Sequence, residues 1–376
     1  MSSSNSIPRF VITGGPCAGK TTALAYLRDK LLDIGFYPIM IPEAATLLIS
    51  SGINPTSGII KPDIFQEIIM EQMLFVQQLA KKAARHLVHP KPVIIYDRGL
   101  MDIKAYMDNS PFETLQEHYG LDTTDMRERS CDAVFHLRTA ALGAEKFYTR
   151  ENNLARTETM EMARELDERT LQAWVGHQHV SIIDNSTDFE GKLHRLFKAV
   201  CGSLGVPAPL EIERKFLLKE FDQNVFAKHG INVATAHIEQ FYLRTPTGEN
   251  PEAVRRVRKR TQYGSSIYWK THKEHIGSGT NIEIENEITA DEYEWSRAYM
   301  APNTEPILKN RNCFVFENQY FELDDFKTGR CKGKFVLENE LSDRAQEIIL
   351  PPFLEIDHEV TDDRSFSNRN MAQLPA

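Results

Sequence analysis

The sequence predicts an α/β domain on a parallel sheet with helices on both faces, followed by an antiparallel β-barrel that forms a tunnel. Three observations predict it. Over residues 8–205, short apolar runs alternate with long helical patterns, as in βαβ units. At 206–209, Val206-Pro207-Ala208-Pro209 breaks the pattern as a short, stiff linker. Over 210–373 the dominant period is two, with charged and apolar residues alternating, as in a sheet with one polar face.

The elements follow in order. Residues 9–13 (RFVIT) form a β-rich run that ends in glycines. Leu24, Leu27 and Leu31 recur at helical spacing over 22–32, and 36–41 reads as a second strand. A long helix is predicted over 65–84, with Ile68, Met73, Val76 and Ala80 near one face. Residues 93–96 are almost wholly apolar, as in a strand buried on both faces, and 133–137 and 180–183 resemble them. A last helix ends near Gly205. Beyond the linker, strands are predicted at 210–218, 237–244, 253–261, 266–273, 281–288, 307–317, 319–325 and 334–341.

The chain has 376 residues, long enough for about two domains at ~150 residues each. With 41% hydrophobic and 26% charged residues it has the composition of a folded globular protein. It contains no run of ~18 apolar residues to cross a membrane, and MSSSNSIPRF lacks the features of a signal peptide. Cysteines at 17, 131, 201, 313 and 331 make neither CxxC nor a metal-ligand spacing, which predicts reduced thiols in the cytoplasm. The net charge of -9 argues against nucleic acid as a general partner. The absence of a lipidation motif argues against stable membrane residence.

Gly14-Gly15-Pro16-Cys17-Ala18-Gly19-Lys20-Thr21 fits GxxxxGK[ST] between a predicted strand and a predicted helix. Such a loop turns backbone N–H groups around phosphate oxygens at a helix N-terminus. Lys20 is then placed to reach the β- and γ-phosphates, and Thr21, followed by Thr22, offers a hydroxyl to Mg²⁺. Asp97 ends the strand at 93–96; it either holds Mg²⁺ or caps the next helix, and Arg98 follows it. Glu43 either takes a proton from a substrate hydroxyl or caps the helix starting at Ala44. Arg150, Arg156, Arg164 and Arg169 lie in a polar segment suited either to close over a nucleotide or to form a solvated helix. Asp184 and Asn185 end the strand at 180–183, where a nucleobase would lie. Gln66 and Gln72 on the long helix are candidate acceptor-reading groups, or simply solvent-facing ones.

GGPCAGKTT, IPEAA, YDRG and the series Asn153, Arg156, Glu158, Leu166-Asp167, Trp174, His177, Asp184-Asn185 resemble the AAA_28-type P-loop family. The resemblance covers most of 8–205. It implies an ATP- or GTP-binding domain with NTPase or small-molecule kinase activity.

In the second half, Glu211, Glu213 and Lys215 share one strand face. Charges there must face water, each other or a bound ion, since dry burial is costly. The pattern recurs at Arg256 and Arg258, Lys270 and Lys273, Glu283 and Glu285, Lys309 and Arg311, and Glu338 and Glu340. Acidic pairs suit Mg²⁺ or Mn²⁺; basic pairs suit a chain of phosphates. The alternative is a solvated sheet laced with salt bridges. The order of these motifs, with Asp324, Glu359-Val360-Thr361 and Asn368, resembles the CYTH, or triphosphate tunnel metalloenzyme, superfamily over nearly all of 210–373. Asn281 stands where members of that family often carry a basic residue.

The resemblance implies a Mg²⁺-dependent phosphohydrolase in which Glu211, Glu213, Glu283, Glu285, Asp324, Glu338 and Glu340 hold metal. Lys215, Arg256, Arg258, Lys273, Lys309 and Arg311 would bind triphosphate. The two modules in this order also resemble the TRPL translocation-defect protein family. That likeness implies the alternative of a non-catalytic GTP- and phosphoinositide-binding protein in membrane trafficking.

Overall fold

The computed structural model describes residues 7–55, 58–88, 91–148, 159–206, 210–245, 253–277, 280–341 and 346–374; at 210–211, 275–277 and 280–281 it describes the backbone alone. Two compact units, Met1–Val200 and Cys201–Ala376, divide the chain a few residues before the proline segment.

The first unit is built on a five-stranded sheet, order β2-β3-β1-β4-β5, and every pairing is parallel. β1 (Arg9–Thr13) lies at its centre, between β3 (Pro92–Asp97) and β4 (Ala133–Leu137). β2 (Tyr37–Ile41) and β5 (Val180–Ile183) form the edges. The central strands are apolar because helices cover both faces, and Val93, Ile94 and Ile95 are fully buried. Ile12 pairs with Asp97 and Thr13 with His136, so the loop after β1 starts beside the end of β3. Strand order reverses at β1, the place where open α/β sheets bind ligands.

α1 (Lys20–Asp33) starts directly from that loop. α2 (Ala44–Ser50) follows β2, and α3 (Pro62–His86) leads towards β3. The most buried face of α3 carries Phe65, Ile69, Met70, Ala80 and Ala84, whereas Ile68, Met73 and Val76 are half-buried. A 3-10 turn at Leu100–Tyr106 follows β3. α4 (Asn109–Tyr119), α5 (Thr123–Arg127), α6 (Met160–Trp174) and α7 (Phe189–Ser203) complete this half.

The second unit is a nine-stranded antiparallel sheet. Its strands are β6 (Leu210–Leu218), β7 (Val233–Tyr242), β8 (Val254–Gln262), β9 (Ser265–Gly277), β10 (Thr280–Ile288), β11 (Ile307–Phe316), β12 (Gln319–Phe326), β13 (Phe335–Glu340) and β14 (Ile356–Glu359). The order is β10-β9-β8-β7-β11-β12-β13-β6-β14. The sequence led us to expect a barrel; the sheet is not closed into one. β10 meets β6 only over Thr280–Ile282 against Leu210–Ile212, because β14 occupies the other end of that edge. α8 (Asn224–Lys228), α9 (Ala290–Ser296) and α10 (Asn368–Met371) complete it.

Apolar residues of alternating parity form separate clusters on this sheet. Phe216, Leu218, Phe226, Phe314, Phe321 and Leu337 make one of them. Glu213 and Lys215 of β6, Glu322 and Asp324 of β12 and Glu338 of β13 stand at the intervening positions, so the period of two separates these charges from the oil.

Candidate functional site

In the first unit, the phosphate loop curls tightly against its surroundings. A Cβ at Gly14 would lie 2.0 Å from the Leu137 carbonyl oxygen, and its φ of +142° is one that glycine tolerates. The Gly15 N–H donates to Asp167 Oδ1 at 2.8 Å, as does the Thr139 N–H at 3.0 Å. Arg138 and His136 stand 3.0 and 3.2 Å from the same carboxylate, which is wholly buried. Burial opposes ionisation of Asp167, but His136, Arg138 and these N–H groups hold its pKa below the ordinary value. The Thr139 hydroxyl donates to the Pro16 carbonyl.

Lys20 folds back, with Nζ 3.1 Å from the Gly14 carbonyl and 3.3 Å from that of Gly15. Burial, and then Arg98, lower its pKa. Thr21 and Thr22 are exposed and line one cavity of 1550 Å³ together with Pro16, Cys17, Ala18, Gly19 and Lys20. Glu43, Asp97 and Arg98 line the same cavity.

Arg98 Nε donates to Glu43 Oε1 at 2.5 Å, and the Thr46 hydroxyl to Oε2 at 2.5 Å. Burial works against ionisation of Glu43, yet Arg98 and Lys20 pull its pKa down to about 2. Glu43 occupies the N-cap position of α2, but its side chain makes no cap hydrogen bond. Asp97 is no cap either: the turn at Leu100–Tyr106 starts from Gly99, whose N–H is bound by Asp102 at 2.7 Å. Burial raises the Asp97 pKa to about 6, with Lys20 opposing and Glu43 adding to the rise. Its Oδ1 is buried with no hydrogen-bond partner among the described residues.

Asn185 lines the cavity and donates to the carbonyls of Thr139 and Leu142 at 2.8 and 2.7 Å. Asp184 does not line it; its carboxylate is taken by Arg195 at 2.8 Å and by Ser186. Arg164 and Arg169 bind the carbonyls of Ala141 and Met107. Arg150 and Arg156 lie outside the described residues.

Two groups of this unit escaped the sequence. Asp102 also accepts from the Thr13 hydroxyl and from Trp174 Nε1, and its signal is an acid three residues past Gly99. Lys192 of α7 is 3% exposed and reaches the carbonyls of Ala18 and Arg138 and the Asn185 side chain. Burial lowers its pKa to about 8. A lysine in phase with the apolar face of α7 is the signal for it.

In the second unit, acids and bases pair across strands. Lys215 Nζ lies 3.2 Å from Glu213 and 2.8 Å from Glu338. Arg311 contacts Asp324 and Glu338 at 2.7 Å each, and also Glu322. Lys309 binds Asp324. Arg256 lies 3.2 Å from both Glu283 and Glu285, and Arg258 3.0 Å from Glu285. Lys273 bridges Glu213 at 3.3 Å and Glu283 at 3.2 Å. The Thr271 hydroxyl donates to Glu285 at 2.7 Å.

Burial opposes the charges of Glu213, Lys215 and Glu338. Glu213 and Glu338 nevertheless fall below the ordinary carboxyl range, because Lys215 faces both. Lys309 goes the other way: burial, and then Arg311, lower it to about 8.

Glu340 is exposed on β13, opposite Glu213, and Lys270 is exposed too. The Glu211 and Asn281 side chains lie outside the described residues. Glu322, missed in the sequence, alternates with Asp324 on β12. Among the described residues no group of three His, Cys, Asp or Glu side chains is assembled to hold a metal ion. No helix among them is long and apolar enough to cross a membrane.

No curated protein matches the chain. Among solved structures, the inorganic triphosphatase NE1496 is 27% identical over 44% of this chain and 97% of that one, with a TM-score of 0.31. The PH1819 protein from Pyrococcus horikoshii OT3 is 20% identical over 36% and 80%, with a TM-score of 0.29. The putative adenylyl cyclase HpAC1 from Hippeastrum, described as having a dominant triphosphatase activity, is 15% identical over 35% and 80%, with a TM-score of 0.28. Residues 9–192, which carry the phosphate loop, Asp97 and Asp167, match the family model of an AAA domain, AAA_28.

Proposed function

We propose that the chain is a phosphohydrolase or phosphotransferase with two anion sites: a nucleoside triphosphate site in the first unit and a triphosphate site in the second. The observation that carries the first is the partnerless Asp97 oxygen in the cavity that also holds Lys20 and the loop N-terminal to α1. In this reading Lys20 leaves the Gly14 and Gly15 carbonyls for the β- and γ-phosphates, and loop N–H groups bind phosphate oxygens. Thr21 and Asp97 would hold Mg²⁺ or Mn²⁺, which when bound neutralises charge on the phosphates. Arg98 holds Glu43 ionised, so that Glu43 is able to take a proton or orient water.

The second site rests on basic side chains gathered on one face. Lys215, Arg256, Arg258, Lys273, Lys309 and Arg311 would exchange carboxylates for phosphate oxygens. The carboxylates there are engaged by these bases, so no step is assigned to a metal. No observation among the described residues favours a phosphoinositide.

Phosphate release from ATP, GTP and tripolyphosphate, with Mg²⁺ or Mn²⁺, tests both sites. Lys20→Ala should abolish nucleotide turnover and spare tripolyphosphate turnover; Lys273→Ala, which removes a cation of the second site, should do the reverse. Turnover of none of these by the wild type would overturn the enzyme reading.

A further inference from the structure

The cavity of the first unit is larger than one nucleotide requires. Clefts for one small molecule run to about 300–1,000 Å³, and this one measures 1550 Å³. The phosphate loop and residues 185–192 wall one end. The other end is formed by α2, α3 and the turn at Leu100–Tyr106, and presents Ile49, Phe65, Ile69, Met73 and Ile103.

The charge at this second end is already spent. Of the described lining residues from those three elements, Asp102 is the one with a carboxylate or a basic group, and Thr13, Gly99 and Trp174 occupy its oxygens. None of the described lining residues of these three elements is a cation, and the nearest, Arg98, is shared between Glu43 and Asp102. One polar group lacks a partner. Gln66 is 8% exposed and lines the cavity, and its amide makes no hydrogen bond within the described residues. A buried amide is normally paired, so this one awaits a ligand group. Between the two ends stand Glu43 and Arg98.

We propose that this end binds a phosphoryl acceptor, a neutral alcohol with a mainly apolar body. The proposal rests on the nucleotide reading of the same cavity. The body lies among Phe65, Ile69, Met73 and Ile103, Gln66 bonds a polar atom on it, and the hydroxyl points to Glu43. The hydroxyl oxygen forms a bond to the γ-phosphorus. The bond from that phosphorus to the β,γ-bridging oxygen breaks, and the nucleoside diphosphate leaves with the electron pair. The hydroxyl proton passes to Glu43 and on to solvent.

The test uses the full chain with ATP, or GTP where that binds instead, and Mg²⁺. The probe is 2-(2-naphthyl)ethanol, with AMP and glycerol as the charged and polar comparisons. The naphthylethanol should raise nucleoside diphosphate formation about tenfold and yield its phosphomonoester one for one with the diphosphate. Gln66→Glu should raise the KM for the alcohol about tenfold with the nucleotide KM unchanged, whereas a misfolded variant would shift both. Gln66→Leu, which adds no charge, should raise the alcohol KM less. Stimulation by AMP or glycerol instead, or by none of the three while nucleotide still binds, overturns the acceptor assignment and leaves the nucleotide reading standing. Failure of nucleotide to bind at all removes both.

Discussion

Asp167 and His177 are two buried polar residues with opposite electrostatic tasks. Asp167 stays ionised because Arg138 and His136 flank it, and it pins the Gly15 N–H and so the start of the phosphate loop. Asp167→Ala leaves Arg138, among the described residues, with the more exposed Glu168 alone. Losing one partner of a buried pair costs about 3–5 kcal/mol. Denaturant unfolding should register that loss, and nucleotide affinity should fall with it.

His177 is held neutral. Its Nδ1 accepts the His179 N–H at 3.0 Å, which leaves Nε2 to carry the proton towards the Cys131 carbonyl at 3.4 Å. Burial lowers its pKa to about 4. The unfolded chain then binds more protons than the native one between about pH 4 and 6.5, and stability rises with pH through that window. The wild type should lose on the order of 3 kcal/mol at this site on acidification. His177→Asn should flatten that part of the stability–pH profile; a profile unchanged by the substitution would refute the assignment.

At the scale of elements, the phosphate loop depends on close approach. A Cβ at Gly15 would sit 2.6 Å from Asp167 Cβ, so Gly15→Ala must push the loop away from its anchor. Nucleotide affinity should fall about tenfold or more, as calorimetric titration would detect, while tripolyphosphate turnover persists. The loop was legible because its glycines, lysine and threonine stand at fixed spacing between a strand and a helix. β1, β3 and β4 were legible because central parallel strands need apolar runs, and the edge strand β5 by its likeness to them. The apolar face of α3 was legible, but not what it meets: Ala80 is buried, while Met73 packs against the core and also lines the cavity, and periodicity alone cannot tell those surroundings apart. β14 was missed because Ile356-Asp357-His358-Glu359 offers four residues and no alternation. The charged strand faces were visible, but which base meets which acid was not. That depends on register: Glu338 opposite Lys215, and Arg311 opposite Asp324. Asp102 and Lys192 each left a local signal, but the partners Thr13 and Trp174 of the one and Ala18 and Arg138 of the other lie far along the chain.

At the scale of the whole molecule, the chain carries two compact units, and each gathers its own candidate anion site. Ligand binding to one native unit stabilises that unit by RT ln(1 + [L]/Kd), about 2.7 kcal/mol at a hundredfold excess over Kd. For units of this size, that corresponds to a rise of about 5–10 °C in midpoint. Calorimetry should therefore resolve two responses. ATP or GTP with Mg²⁺ should raise one transition, and tripolyphosphate should raise the other. Lys20→Ala should erase the first shift alone, and Arg311→Ala the second alone. Arg311→Ala should also lower the baseline midpoint of its own unit, since it takes the partner from Glu322 and leaves Asp324 and Glu338 to Lys309 and Lys215. A single transition that both ligands raise, and that either substitution blunts for both, would mean that the units unfold as one. The phosphates of both ligands would then be competing for a shared set of cations, and the assignment of one polyanion to each half of the chain would fail.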